Sequence, residues 1–239
     1  MISAPYKLTH RAVLTLLLLP LAPAPAQAPL LPESVILHNI DAAVLNRVTH
    51  VAGFTLHEHY RVYRGADQSH PAAEMLVATT YRKDSGKTYA VLSFSGSTLI
   101  RKFGLQPLLE NEQSINLPGN VAQSWFTTAN YAMKLRPGGI QHINGRACWA
   151  LDIVPKRKAT NMIQGTLWVD AGDFQIARID GVASRNPSIW SGTTHMMRDY
   201  TNVSGYAMAT HARAESKSFL VGRTVVTIDY GDYRLQTTP

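Results

Sequence analysis

The chain has only one cysteine, Cys148, among its 239 residues. A single thiol cannot form an intramolecular disulfide, and its position in a strand-like segment predicts a small, half-buried strand residue. Long apolar runs are also missing, since the run at 12–19 is well short of the roughly 20 residues that a helix needs to span a bilayer. Internal repeats and low-complexity tracts are absent as well. These absences argue against a disulfide scaffold, a membrane-spanning anchor and a repeat array.

Concentrated charge is the next absence. The formal net charge is +7 at pH 7, but the basic residues are spread along the chain, without an arginine stripe or an aromatic RNA-binding signature. This distribution predicts that nucleic acid is not a partner. A weak attraction to anionic lipid headgroups fits the charge better.

The N-terminus has the pattern of a secretory signal peptide. Basic residues within 7–11 precede the apolar run at 12–19, and a small-residue stretch ends at 26–28. Cleavage after Ala28 would leave Pro29 first, so release before Gln27 is the alternative. Because no cysteine stands at either cleavage position, no lipid can be attached there, and we expect a soluble secreted protein. The predicted division is a signal peptide at 1–28 and a single domain at 29–239, about 210 residues, enough for a sizeable core.

The second half of the chain, 145–233, is a series of alternating segments separated by turn residues. In the first of them Ala147, Trp149, Leu151 and Ile153 share one face at period two. Six strands are predicted, at 146–154, 162–169, 174–181, 193–200, 206–218 and 222–233. Because no crossover helices separate them, they must form an antiparallel, meandering sheet.

The first half predicts a helix and further strands. Leu37, Ile40, Val44 and Val48 recur at helical spacing within 33–50, with Ser34 as N-cap. Strands are predicted at 54–64, 74–83, 87–94 and 125–135, with a hairpin turn at 84–86 and a broken helical segment at 99–109 that restarts near Pro107. The predicted fold class is mainly β (α+β), a large curved antiparallel sheet of about ten strands with two helical segments.

An open sheet of this size needs a cover for its apolar face, and the helix at 33–50 can provide it. Curved sheets with a helical cover can enclose an apolar pocket. In the strand at 206–218, small residues such as Ala212 and Ala214 alternate with Arg213 and Glu215. The small face either leaves volume for a ligand or lets a helix approach closely.

Enzyme motifs are incomplete. His57 and His59 have a spacing that can ligate a metal, but no third or fourth ligand can be named, so a solvent-facing strand is predicted. The segment 94–97 lacks the glycine that a nucleophile elbow requires and predicts a loop. Asp170 and Asp173 lie at a hairpin tip. The basic segment 156–158 contacts lipid headgroups or is a solvated loop. The sequence therefore predicts no catalytic residue, no metal site and no cofactor.

Several segments together resemble a known family. They are Gly145-Arg146-Ala147-Cys148-Trp149, the strand 151–156 ending in Pro-Lys, the hairpin 167–170 with 174–179, and the late strand 224–230. This pattern resembles the outer-membrane lipoprotein-sorting proteins of the LolA-like group.

The resemblance implies an incomplete β-barrel covered by helices, whose apolar cavity carries the acyl chains of lipoproteins or lipids through the periplasm to the outer membrane. It implies a monomer with an inner-membrane sorting transporter and an outer-membrane acceptor as partners. The alternative on the same fold is an envelope-stress regulatory or interaction module resembling the RseB N-terminal domain, which senses lipid-modified or misfolded envelope proteins.

Candidate cavity residues follow from the apolar faces of the helix and the strands. Core packing alone is the alternative role for the tryptophans among them. The candidates are Leu37, Ile40, Val44, Trp149, Leu151, Met162, Trp168, Val226 and Ile228.

Overall fold

The described part of the chain begins with a helix that leads directly into a strand. A computed structural model describes residues 31–159, 161–185, 191–218 and 222–238. Helix α1 (Glu33–His50) has an acidic residue in its first turn and basic residues in its last, which complements the helix dipole. Strands β1 (Val51–Arg64), β2 (Ala73–Arg82) and β3 (Gly86–Gly96) follow. The predicted helix at 33–50 is confirmed.

A helical segment separates β3 from the remaining strands. It consists of α2 (Thr98–Ile100), a π-helical turn (Arg101–Leu105), α3 (Gln106–Ile115), α4 (Pro118–Val121) and a short 3₁₀ turn (Ala122–Ser124). Pro107 lies in the first turn of α3, where the helical segment was predicted to restart. Seven strands complete the described fold: β4 (Tyr131–Ile143), β5 (Arg146–Pro155), β6 (Ile163–Asp170), β7 (Ile176–Ala183), β8 (Ser191–Val203), β9 (Tyr206–Ser218) and β10 (Gly222–Thr237).

All ten strands form one antiparallel sheet in the order β3-β2-β1-β10-β9-β8-β7-β6-β5-β4. The pairing of β1 with β10, with Tyr60 opposite Ile228, joins the N-terminal hairpins to the C-terminal meander. Strands β3 and β4 are the two ends of this order, so the curved sheet is an incomplete barrel. The predicted fold class and the antiparallel meander are confirmed.

Curvature of the sheet is accommodated where two glycines face each other. Gly165 on β6 is the cross-strand partner of Gly181 on β7. A Cβ atom on Gly165 would lie 2.1 Å from the carbonyl oxygen of Asp180, and one on Gly181 would lie 2.3 Å from that of Gln164. Only glycine permits this backbone approach.

Helices cover the two halves of the inner sheet face. Ile36 and Ile40 of α1 pack in a core with Leu151 and Leu167. Over the other half, Leu105 and Leu109 of the second helical segment pack in a separate core. The partners of that second core include Tyr60 and Met75.

Three local predictions are wrong. Ser34 is not the N-cap, because the helix begins at Glu33 directly after Pro32 and no side chain caps it. The strand predicted at 125–135 begins at Tyr131, because Asn130 donates side-chain hydrogen bonds to the Ala122 and Trp125 carbonyls and holds the preceding residues in a turn. The segment 94–97 is not a loop but the end of β3 and the entry to α2. The predicted signal peptide at 1–28 lies outside the described residues.

Candidate functional site

A cavity of about 680 Å³ lies between the inner face of the sheet and the covering helices. This volume is within the range of about 300–1,000 Å³ that is typical of small-molecule pockets. Much of the lining is apolar and comes from strands throughout the middle of the sheet; it includes Phe54, Leu56, Ile176, Ile179, Met196 and Met208. The cavity therefore offers apolar surface to a ligand.

Small residues on β9 help to leave this space. Ala212 and Ala214 both line the cavity, while Glu215 lies on the outer face and accepts hydrogen bonds from Arg223. Ala212 is the cross-strand neighbour of Arg198, so the arginine side chain has room to extend over the inner face. The face of β9 that carries Ala212 and Ala214 thus borders open volume. Its small residues leave space for a ligand, which is the first of the two roles that the sequence allows for them.

The structure divides the nine candidate cavity residues into three groups. Val44, Val226 and Ile228 lie in the cavity lining, and Ile228 is at the same time a buried residue of the second core. Beneath α1, Ile40, Trp149, Leu151 and Met162 belong to the buried core, and Leu37 packs against it. Trp168 alternates with the core residues Leu167 and Val169 on β6, and its indole N–H donates to the Gln141 side-chain oxygen at 2.9 Å. The structure thus brings three candidates to the cavity and five to the core beside it.

Four charged residues near the cavity were missed by the sequence reasoning. Glu58 on β1 is 1% exposed, and its Oε1 lies 3.8 Å from Lys87 Nζ on β3. The same ammonium lies 3.5 Å from Glu112 Oε2 on α3. The other oxygen of Glu112 lies 3.9 Å from Arg198 Nη2 on β8. These four residues, Glu58, Lys87, Glu112 and Arg198, are called the inner charge cluster.

Neighbouring phenols and cations set the charge states of this cluster. Burial works to raise the pKa of Glu112, but Lys87 and Arg198 outweigh it and hold the pKa below its usual range. Burial, together with the nearby carboxylates, raises the pKa of Tyr60 and Tyr89 far above the usual range. Glu112 is therefore ionic, and the phenols of Tyr60 and Tyr89 beside it are neutral.

One acceptor of the cluster is unused. Glu58 accepts a short hydrogen bond from the Tyr60 hydroxyl, but its Oε1 has no hydrogen-bond donor among the described residues. A signal for Glu58 does exist in the sequence. At period two it shares the face of Leu56, Tyr60 and Val62, whereas His57 and His59 occupy the other face.

The outer face holds the histidines in ion-pair geometry. His57 Nδ1 lies 2.8 Å from Asp232, and His59 Nε2 lies 2.8 Å from Glu74. Within the described part of the chain, no group of three or more His, Cys, Asp or Glu side chains could hold a metal ion. His57 and His59 thus contact carboxylates on the sheet surface.

Asp170 organises the β6–β7 hairpin. Its Oδ1 accepts backbone N–H bonds from Gly172 at 2.8 Å and Asp173 at 3.2 Å, and Oδ2 accepts from Arg146 Nε at 2.9 Å. Burial works to raise the pKa of Asp170, but these donors outweigh it and hold the pKa below its usual range. The carboxylate has the turn-stabilising role that its position at a hairpin tip predicts.

The basic segment after β5 and the cysteine have structural roles. Lys156 Nζ donates to the Thr128 carbonyl at 2.7 Å, and Arg157 donates to Gln123. Cys148 is fully buried rather than half-buried, because its side chain points to the packed face of β5 opposite Trp149, and burial raises the pKa of its thiol. Of the helices that the structure describes, none is both long and apolar enough to cross a bilayer.

The chain is similar to LolA-superfamily structures. The LolA superfamily protein NE2245 from Nitrosomonas europaea is 14% identical, with 88% of this chain and 96% of that chain covered and a TM-score of 0.45. An outer membrane lipoprotein-sorting protein domain from Vibrio parahaemolyticus is also 14% identical, with coverages of 84% and 92% and a TM-score of 0.47.

A third similar structure is a DUF1329 family protein from Desulfovibrio piger, 14% identical, with coverages of 84% and 93% and a TM-score of 0.42. No family model matches the chain, and no curated protein matches it either. The LolA-like group that the sequence resembles is thus represented among these similar structures. At this identity the likeness to the LolA superfamily concerns the fold and not the cargo.

Proposed function

We propose that this protein is a periplasmic carrier that shields the acyl chains of lipoproteins or lipids in its cavity for delivery to the outer membrane. The observation that supports this function is the cavity of about 680 Å³ between the sheet and the helices, with apolar residues of several strands in its lining. Binding and release of an apolar chain need no bond to be broken, so the proposed activity requires no catalytic residue and no cofactor.

The physical need for such a cavity follows from the hydrophobic effect. Leaving an acyl chain in water costs about 0.8 kcal/mol per methylene group, so a free lipoprotein aggregates or stays in its membrane. A carrier must offset most of this cost and still release its cargo. Helices that cover the cavity from one side allow binding and release to be coupled to their movement.

The route and the partners are part of the same proposal. In this proposal the predicted signal peptide at 1–28 exports residues 29–239 as one domain, and the carrier acts as a monomer in the periplasm. An inner-membrane sorting transporter would load it, and an outer-membrane acceptor would unload it. Nucleic acid has no part in this cycle.

A cavity-filling substitution tests the proposal without deleting any existing contact. Ala214 lies in the cavity lining, and Ala214→Trp would occupy part of the volume. Ala90→Trp is the matched control, because Ala90 is exposed on β3. Uptake of the neutral fluorescent probe N-phenyl-1-naphthylamine and of a triacylated lipopeptide is measured by titration, with circular dichroism to check the fold.

We expect Ala214→Trp to weaken uptake about tenfold or more, since displaced methylenes each contribute about 0.8 kcal/mol, and Ala90→Trp to leave it unchanged. If neither ligand binds the wild-type protein, the carrier function is wrong and the regulatory module on the same fold takes its place. Equal uptake by both folded variants would also contradict the proposal, because the ligand would then lie outside the cavity.

A further inference from the structure

Arg198 is one of the cations in the lining of the cavity. It lies on β8, lines the cavity, and its side chain is 39% exposed because the guanidinium faces the open volume. Its cross-strand neighbour Ala212 is too small to cover it. The guanidinium is therefore available to a ligand in the cavity.

Arg198 has a side-chain hydrogen bond with Tyr200, but no carboxylate of the described residues accepts a hydrogen bond from its guanidinium. Among the described residues, the nearest carboxylate oxygen is Glu112 Oε1, at 3.9 Å from Nη2, which is beyond hydrogen-bonding distance. The other carboxylate oxygen of Glu112, Oε2, lies 3.5 Å from Lys87 Nζ, and the same ammonium lies 3.8 Å from Glu58 Oε1. The other three residues of the inner charge cluster thus approach one another, and Arg198 is the cation at its open end.

A guanidinium has five N–H donors in a planar fork that matches the two oxygens of a carboxylate or a phosphate. Such charge-assisted bonds are about twice as strong as neutral ones, and an apolar lining cannot replace them. Phenols near the cluster stay neutral, since burial raises the pKa of Tyr230 well above its usual range. They cannot supply the missing anion.

We propose that Arg198 binds the anionic head group, a carboxylate or a phosphate, of a single-chain amphiphile whose tail lies against Val226 and Ile228. This inference rests on the proposed carrier function and names the ligand class of the same cavity. Val226 and Ile228 line the cavity on β10, and Ile228 is the cross-strand partner of Ala212 on β9. Ala212 is also the cross-strand partner of Arg198 on β8, so only one small residue separates Ile228 from Arg198 across the sheet. The cavity volume suits one ligand of this size.

The test compares three ligands that share a dodecyl chain: dodecanoate, dodecyl phosphate and dodecanol. Each displaces N-phenyl-1-naphthylamine from the full-length secreted protein, from Arg198→Met and from Arg198→Lys. Arg223→Met is the matched control, because Arg223 is also 39% exposed but lies on the outer face with Glu215. Circular dichroism and thermal unfolding check that each variant is folded.

We expect wild-type protein to bind at least one anionic ligand about tenfold more tightly than dodecanol, which corresponds to one charge-assisted contact. Arg198→Met should abolish that preference while dodecanol binding is retained, Arg198→Lys should keep part of it, and Arg223→Met should keep all of it. A preference for dodecanoate identifies a carboxylate head group, and a preference for dodecyl phosphate identifies a phosphate.

Two results would overturn the inference and separate it from the carrier function. If all three ligands bind wild-type protein equally, the cavity binds acyl chains without recognising a head group, and only this inference fails. If the anionic preference persists in Arg198→Met, another cation is responsible. Should Arg198→Met not fold, the wild-type ligand comparison and Arg198→Lys still decide between these outcomes. Failure of every ligand to bind would instead remove the carrier function itself.

Discussion

The Oε2 atom of Glu112 on helix α3 lies 3.5 Å from the Nζ atom of Lys87 on the edge strand β3. The helix that covers the cavity thus carries the carboxylate that neutralises a cation of the sheet. Both side chains are largely shielded from solvent. An ion pair in such a position ties α3 to the sheet.

Glu112→Gln should destabilise the protein, because it leaves Lys87 without one of its carboxylate partners in a partly buried site. We expect the free energy of unfolding to fall by about 2 kcal/mol. The double variant Glu112→Gln with Lys87→Met should recover part of this loss. Chemical denaturation of the single and double variants measures the coupling, and simple additivity would mean that the pair does not hold α3.

Gly165 should tolerate no side chain. A methyl group there would lie 2.1 Å from the Asp180 carbonyl oxygen, so the strands β6 and β7 would have to separate. We expect Gly165→Ala to lower the free energy of unfolding by about 2 kcal/mol. Gly231→Ala is the control, because nothing lies within 4 Å of its added methyl group. Equal stability of the two variants would refute the close approach of the strands.

Glu215 should make stability depend on acid pH. The hydrogen-bonded Arg223, followed by Arg213, lowers the pKa of Glu215 from 4.5 to about 2. A depressed folded-state pKa means that the pair contributes above the unfolded value and is lost as pH falls from about 4.5 to about 2.

The corresponding variant is Glu215→Gln. We expect it to lower the free energy of unfolding at pH 7 by about 0.5 kcal/mol, as solvent screens this surface pair, and to have no effect near pH 2. Glu110→Gln, an exposed carboxylate without an arginine partner in the described structure, is the control. A penalty for Glu215→Gln that is the same at both pH values would contradict the assignment.

Substitutions of Trp149 and Val44 should show that stability and ligand binding depend on different residues. Trp149 is 6% exposed in the core beneath α1, so Trp149→Ala should lower the free energy of unfolding by about 3–5 kcal/mol. Uptake per folded molecule should change little. Val44 lines the cavity, and Val44→Asp should weaken acyl-chain uptake about tenfold, since it places a carboxylate against the chain. Thermal unfolding and probe titration on the same samples test this separation, and parallel losses in both variants would contradict it.

The period-two pattern of the sequence was sufficient to predict nine of the ten described strands, because each inward face repeats over several residues. It could not tell core from cavity. Trp149 and Leu151 face inward like Val226, and only the position of α1 decides that the first two are covered. That position depends on long-range contacts such as the one between Asp41 and the Thr128 backbone N–H, 2.8 Å long.

Two further features escaped prediction for physical reasons. The second half of β4 follows Pro137, where the register with β5 shifts between Leu135 and Ile140, so the local pattern is interrupted. The inner charge cluster draws its four residues from three strands and a helix that are distant in the chain. No short stretch of sequence contains all four residues of the cluster. Only Glu58 gives a signal in the sequence, because it is a charged residue on an apolar strand face. The signal peptide and the domain boundary at 28 and 29 stay predictions.

Native mass spectrometry of the protein, purified from the periplasm without detergent, tests the carrier function most directly. Bound material is then extracted with solvent and identified. We expect adducts with the mass of an acyl-chain amphiphile that disappear on extraction and that Ala214→Trp lacks. A ligand-free mass for wild-type protein that also takes up no added lipid or lipopeptide would contradict the carrier function.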